Sequence, residues 1–107
     1  MVAEAKSNAD SARITADNAK AAKAASDEYQ SADRAYKNGE EKEAAEDLSG
    51  AYDAFVEAAD GFNQAAETAE ENRQAALKAI AEAEEAISKT EQSAQSAMEE
   101  VEQEEEQ

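Results

Sequence analysis

The sequence predicts an all-α protein, arranged either as an antiparallel three-helix bundle or as a long helical hairpin. Alanine makes up 29 of the 107 residues, proline is absent and glycine occurs three times. Alanine has the highest helix propensity, and the Glu, Lys and Gln residues between the alanines are also good helix formers. Apolar residues recur at alternating spacings of three and four, which is the periodicity of a helix with one buried face.

The overall composition also fits a disordered chain, which is the main alternative. Leu, Ile, Val and Phe together number ten residues and the net charge is -17, and such a combination of few large apolar residues with high charge is typical of disorder. Seven large side chains, however, lie between residues 29 and 62. We therefore predict a cooperatively folded helical core in that stretch.

The first helix is predicted over residues 3–37. Its N-terminal half carries a narrow stripe of alanines, and its C-terminal half continues the stripe with Tyr29 and Tyr36. Asn38 and Gly39 follow, and these two residue types tolerate the left-handed conformation that closes many helices. A turn is therefore expected at this dipeptide.

The short link after the first helix requires the next helix to run antiparallel to it. The face that carries Tyr29 and Tyr36 is then expected to meet the face that carries Leu48, Tyr52 and Phe55. Aromatic residues at helical spacing, in a chain with few other large side chains, are more often core than ligand-binding residues. We interpret them as the core.

Two further helices are predicted over residues 41–69 and 73–98. Thr68 and Glu71 have the spacing of a capping box, and a turn at residues 68–72 divides the chain into segments of similar length. On this interpretation residues 1–98 form a single helical domain. The last nine residues, 99–107, include six glutamates and are expected to fray into a solvated acidic tail.

A second interpretation keeps the chain helical without a turn from Leu48 to Val101. The apolar spacing of three and four residues continues through this whole stretch, including the other turn candidate at Asp60-Gly61. One helix of about 60 residues would reach about 90 Å. In that case Ile80 and Ile87 would need a second chain to cover them, for example in a homodimer.

Charge is distributed unevenly along the chain. Residues 1–38 contain six acidic and six basic residues, whereas the remainder contains 21 acidic and four basic residues. Two strongly acidic helices repel each other when they pack side by side, but a neutral helix can lie against either of them. The first helix is therefore the expected electrostatic partner of the rest.

No catalytic, cofactor-binding or metal-binding residue is predicted, and the chain is not expected to be an enzyme. It has neither His nor Cys, which excludes Cys/His zinc sites, an imidazole base and a thiol nucleophile. The Glu99–Glu106 cluster lacks the alternating ligands and central glycine of a calcium loop. No apolar run approaches the length of a membrane-spanning helix, and the charge of -17 gives no reason to expect nucleic acid as a partner.

Two resemblances attach to particular residues. The run from Ala35 to Ala44, with Tyr36 and Gly39 inside it, resembles the centre of a tetratricopeptide-type helix pair. The wider alanine-rich pattern, Tyr29-x-x-Ala32-x-x-x-Tyr36-x-x-Gly39 followed by Ala51-x-x-x-Phe55-x-x-Ala58, is similar to helical domains of bacterial envelope lipoproteins, particularly spirochaete ones. The second resemblance implies an exported, non-enzymatic helical module.

The function expected from these observations is that of a helical scaffold or protein-interaction module, in the periplasm or cell envelope of a bacterium. Its partner is expected to be a protein. One alternative is a small type VII-secreted helical hairpin, which the chain is similar to in length, acidity and a central Leu48-Ser49-Gly50. The other is an acidic module that binds basic partners.

Overall fold

The computed structural model describes residues 1–106, and the prediction of an all-α fold is confirmed. The helices are α1 (Val2–Asn18), α2 (Ala21–Ala24), α3 (Ser26–Ala44) and α4 (Leu48–Glu106). The chain divides into two compact units. Unit 1 is Met1–Arg73 and unit 2 is Gln74–Gln107.

In unit 1, helix α1 lies antiparallel to α3. The Tyr36 hydroxyl donates a hydrogen bond to the Asp10 carboxylate, and the Tyr29 hydroxyl donates one to Asp17, each over 2.7 Å. As residue numbers rise along α1, those of the partners fall along α3. The alanine stripe of α1 is thereby turned onto the rest of unit 1 and becomes buried.

Helix α3 is also antiparallel to the first part of α4. The Tyr36 ring meets Phe55 edge-on with ring centroids 5.3 Å apart, and Tyr29 meets Phe62 in the same way at 5.2 Å. Edge-to-face arrangements are favourable for aromatic rings because of their charge distribution. The predicted contact therefore exists for Tyr36 and Phe55, but Leu48 is 58% exposed and does not take part in it.

The core of unit 1 consists of alanines around two phenylalanines. Phe55 and Phe62 are the largest fully buried side chains. The buried residues of the cluster come from all of its helices: Ala5, Ala9, Ala12, Ala16, Ala21, Ala25, Ala32, Ala51, Phe55, Ala58, Phe62, Ala65, Ala66 and Ala69. Because alanine is small, helices that meet through it can approach closely, and small changes of side-chain volume in such a core are strongly felt.

The predicted first helix over 3–37 is broken in the structure. Lys20 has a φ of 59°, in the left-handed region, and Ala25 has φ -138° and ψ 53°. A left-handed conformation costs a residue other than glycine about 1–2 kcal/mol. The break allows α1 to fold back along α3, which buries its alanines. A continuous helix would leave them exposed.

The turn predicted at Asn38-Gly39 is also absent, and α3 continues through Ala44. Gly39 is buried and helical, with no positive φ. A Cβ atom there would lie 2.8 Å from Cε1 of Phe55, so the glycine makes room for the ring. The chain reverses at residues 45–47 instead, where Glu46 has a φ of 62°.

Neither turn candidate in the second half of the sequence interrupts α4, so the helices predicted over 41–69 and 73–98 are not separate. Two polar residues of the stretch 68–72 make contacts between helices instead. Thr68 donates a hydrogen bond to the Glu28 carboxylate over 2.9 Å, and the Asn72 amide donates one to the Ala24 carbonyl over 3.1 Å. These hydrogen bonds therefore connect α4 to the preceding part of unit 1.

Unit 2 consists of the last part of α4. The expected fraying over 99–107 is not seen, since the helix continues through Glu106, and Gln107 lies outside the described residues. Glutamate is a good helix former, which favours this continuation. Residues 74–105 are exposed along their whole length.

Arg13 of α1 contacts both α3 and the first part of α4. Its guanidinium lies 4.6 Å from the ring centroid of Tyr36 and 4.8 Å from that of Phe62, and it forms a 2.8 Å ion pair with Asp33. Burial alone would raise the pKa of Asp33. The hydrogen bond from Lys37 and the charge of Arg13 together outweigh that effect, so the pKa of this carboxyl lies below its usual value.

Asp33 is therefore expected to stabilise unit 1 in a pH-dependent way. At pH 7 we expect Asp33→Asn to lower the free energy of unfolding by about 1–2 kcal/mol, because a charge-assisted contact of a partly exposed group is lost. A pKa that is lower in the folded chain gives stability above the unfolded value of about 3.9, and this is lost as pH falls through the folded pKa.

The measurement is urea unfolding of the natural chain and of Asp33→Asn between pH 7 and pH 2, with the near-ultraviolet circular dichroism of the tyrosines as the signal. The difference between them should disappear at the acidic end of this range. Asp53→Asn, which changes an exposed aspartate on α4, is the control for the loss of one negative charge. A difference that stays constant down to pH 2 would contradict the proposed role of the Asp33 charge.

Candidate interaction surface

Four of the five aromatic side chains of unit 1 pack in or against its core. Phe55 and Phe62 are fully buried, and Tyr29 and Tyr36 pack against the same core. Burial and the hydrogen bond to Asp10 raise the pKa of Tyr36 to about 12. The packing of these four residues agrees with their interpretation as core residues from the sequence. The fifth aromatic side chain, Tyr52, is 37% exposed.

A groove of about 630 Å³ runs between α1 and the first part of α4 in unit 1. Its walls combine apolar residues such as Ala12 and Val56 with polar ones such as Glu4 and Asp60. Small-molecule sites of this size have a few polar groups that converge on the ligand from a mostly apolar lining. The polar residues that line this groove are all exposed to solvent, so the groove does not enclose polar groups in that way.

Neither a metal centre nor a membrane span is found within residues 1–106. No group of three or more His, Cys, Asp or Glu side chains there is arranged to hold a metal ion. No helix in the same range combines the length and the apolar character that a membrane span requires. The acidic residues near the end of α4 are therefore spread along a helix rather than gathered around one point.

Unit 2 carries the most distinctive surface of the described chain. Five large apolar side chains are 47–65% exposed on its single helix, and we call them the apolar stripe: Leu77, Ile80, Ile87, Met98 and Val101. Ile80, Ile87 and Val101 are separated by multiples of seven residues, so they lie in one column along the helix. Leu77 and Met98 each precede a member of that column by three residues and lie on the same face.

Small residues complete this face of the helix. The column of Ile80, Ile87 and Val101 also contains Ala94, and the column three positions further along contains Ala83, Thr90, Ala97 and, at its end, Glu104, all of them exposed. In a coiled coil such a pair of columns forms the seam, where side chains of the facing helix enter the gaps between those of the first. Large exposed residues beside small ones therefore give the stripe the form of one half of a coiled coil.

The sequence indicated part of this surface. Periodicity alone placed Ile80 and Ile87 in a seam that would require a second chain if α4 were continuous, and α4 is continuous in the structure. Leu77 and Met98 were missed, because the regular seam passes through their alanine neighbours. Their spacing of three residues from Ile80 and Val101 is the signal that identifies them.

Comparison of the chain with protein-family models, with curated proteins and with solved structures finds no match.

Proposed function

We propose that this chain is a non-enzymatic helical scaffold in which unit 2 binds a helix of another protein chain through the apolar stripe. The observation that carries the proposal is the exposure of all five stripe residues, the lowest value being 47% at Leu77. Burying a large aliphatic side chain is favourable by about 1.5–3 kcal/mol. A helix laid along the stripe would remove several such side chains from water in one step.

Unit 1 supplies the folded part of the proposed scaffold. We take it as a small antiparallel bundle of three helical segments, namely α1, α3 and residues 48–73. The edge-on aromatic pairs and the cross-helix hydrogen bonds of Tyr29 and Tyr36 support this arrangement. The complete lack of His and Cys in the sequence supports a role other than catalysis.

The bacterial cell envelope is the proposed location, because it is what the resemblance to envelope lipoproteins implies. Fractionation of the bacterium that carries the natural gene, followed by immunoblotting, tests this part separately. Recovery of the protein in the cytoplasmic fraction alone would reject the envelope location. It would leave the proposal about the apolar stripe unaffected.

Site-specific photo-crosslinking in those cells tests the binding role. A photoreactive phenylalanine analogue at position 87 of the full chain would lie in the stripe, whereas the same analogue at position 92 would lie on the opposite side of the helix and is the matched control. We expect a discrete crosslinked product from position 87 and none from position 92. We also expect the product to disappear when Ile80 is changed to Gln.

Products with a second copy of the chain and products with a different protein both support the proposed function, because the stripe is covered in each case. The absence of a product from position 87 would contradict it. Equal products from positions 87 and 92 would contradict it as well, since they would indicate contact with no preferred face.

A further inference from the structure

We infer that the apolar stripe takes a basic amphipathic helix, one with large apolar residues in its seam and Lys or Arg on both sides of that seam. This inference rests on the proposed function, because it specifies the chemistry of the partner at the same surface. It is carried by the sign and position of the charges beside the stripe together with the small residues within it.

Every charged residue directly beside the seam is acidic. With Ile80 and Ile87 in the first column of a heptad, the two columns that flank the seam carry charge at Glu84, Glu91, Glu100 and Glu105. In coiled coils, residues in these columns form the ion pairs with the partner helix that determine partner choice. The flanking charges of unit 2 therefore select a partner with positive charge at the facing positions.

The lysines of unit 2 do not change this pattern. Lys78 and Lys89 fall on the side of the helix away from the seam by the same heptad register. Lys89 already forms a 3.3 Å ion pair with Glu85 within the helix. Both are therefore poorly placed to pair with acidic residues of a helix that lies on the stripe.

A second copy of the chain is a poor match for the same reason. In either orientation, the flanking glutamates of one helix would face glutamates or uncharged residues of the other, so no attractive pair would form across the seam. Residues 74–107 contain ten acidic residues, from Glu82 to Glu106, and two lysines, which is a net charge of -8 that a homodimer would double. Like charges brought together destabilise the complex.

The small residues of the seam define the apolar part of the partner. Ala83, Thr90 and Ala97 leave gaps between the larger residues of the stripe, and a partner with Leu or Ile at the matching positions would fill them. A partner with alanines there would leave the gaps unfilled and would lose contacts. The partner is thus expected to combine a bulky seam with basic flanks.

Synthetic probe helices test the inference on the full-length protein. The first is a fluorescently labelled peptide of four heptads with Ile and Leu in its seam and Lys in the flanking columns. The second has the same seam with Glu in the flanking columns, and the third has Lys flanks with Ser in the seam. We expect only the first to bind, as measured by fluorescence anisotropy at an ionic strength of about 0.15 M.

Charge exchange provides the decisive variants. In Glu84→Lys/Glu91→Lys, binding of the Lys-flanked peptide should weaken about tenfold, and the Glu-flanked peptide should now bind. Glu82→Lys/Glu99→Lys makes the same change of net charge away from the seam, and it should weaken binding less than about threefold because distant charges are screened. Ile80→Gln/Ile87→Gln, which keeps good helix formers, should weaken binding about 100-fold by removing apolar contact.

Equal weakening by the two charge-exchange variants would overturn the inference, since it would show attraction to the overall negative charge alone. Binding of the Glu-flanked peptide to the unchanged protein would also overturn it. If no peptide binds and sedimentation equilibrium shows a dimer that Ile80→Gln/Ile87→Gln dissociates, the partner is a second copy. The inference then fails while the proposed function stands. If no peptide binds and the protein is monomeric, the inference fails and the crosslinking at position 87 decides the proposed function.

Discussion

Replacing Phe55 by alanine is expected to lower the free energy of unfolding of unit 1 by about 3–5 kcal/mol. The Phe55 side chain is fully buried, its ring meets that of Tyr36 at a centroid distance of 5.3 Å, and Gly39 leaves the space that the ring occupies. The neighbours that would have to fill the resulting cavity are mostly alanines, which cannot extend into it. The cavity should therefore remain largely open.

Urea unfolding followed by the near-ultraviolet circular dichroism of the tyrosines measures this loss, because all three tyrosines lie in unit 1. Val101→Ala is the control on the same helix. Val101 is 53% exposed, so its truncation should change the free energy of unfolding by less than about 0.5 kcal/mol. Equal losses for the two variants would show that the core does not depend on Phe55.

The second large effect is expected from Gly61→Ala. Alanine has a helix propensity that is more favourable than that of glycine by about 1 kcal/mol, so the change would stabilise an isolated helix. In unit 1 the new Cβ would lie 2.9 Å from Cβ and 3.3 Å from Cα of Ala32. Part of this obstacle is backbone, so α3 and α4 would have to separate. We expect a net loss of about 1–3 kcal/mol.

A reciprocal variant separates contact from propensity. Ala32→Gly together with Gly61→Ala exchanges the two residues. One glycine remains in the contact between residues 32 and 61, and there is room again for the new methyl group. The double variant should therefore recover most of the stability that Gly61→Ala loses, in the same urea measurement. If Gly61→Ala alone is more stable than the natural chain, the close approach of the two helices is not what requires glycine at this position.

Local properties of the sequence determined the fold class and the centre of the core. Alanine content and the spacing of three and four residues predict helix because they act within one or two turns of the same segment. They also placed Phe55 among the buried residues, since a chain with so few large side chains has little else to bury. The exposure of Ile80 and Ile87 followed in the same way, on the condition that α4 remained unbroken.

Only the tertiary structure decided where the helices begin and end. Gly39 and Gly61 lie in stretches typical of turns, yet each glycine permits close contact with another helix. A glycine that forms a turn cannot be distinguished by sequence from one that permits such a contact. The break at Lys20 has no local signal, because a left-handed lysine is unfavourable by itself and is stabilised by the burial of α1 that it allows. Thr68 and Glu71 have the spacing of a capping box, but the hydrogen-bond partners of Thr68 and Asn72, at residues 28 and 24, lie far away in the chain. Which residue a polar or small side chain contacts depends on the assembled fold. In this chain those contacts decided which of the possible turns remained helical.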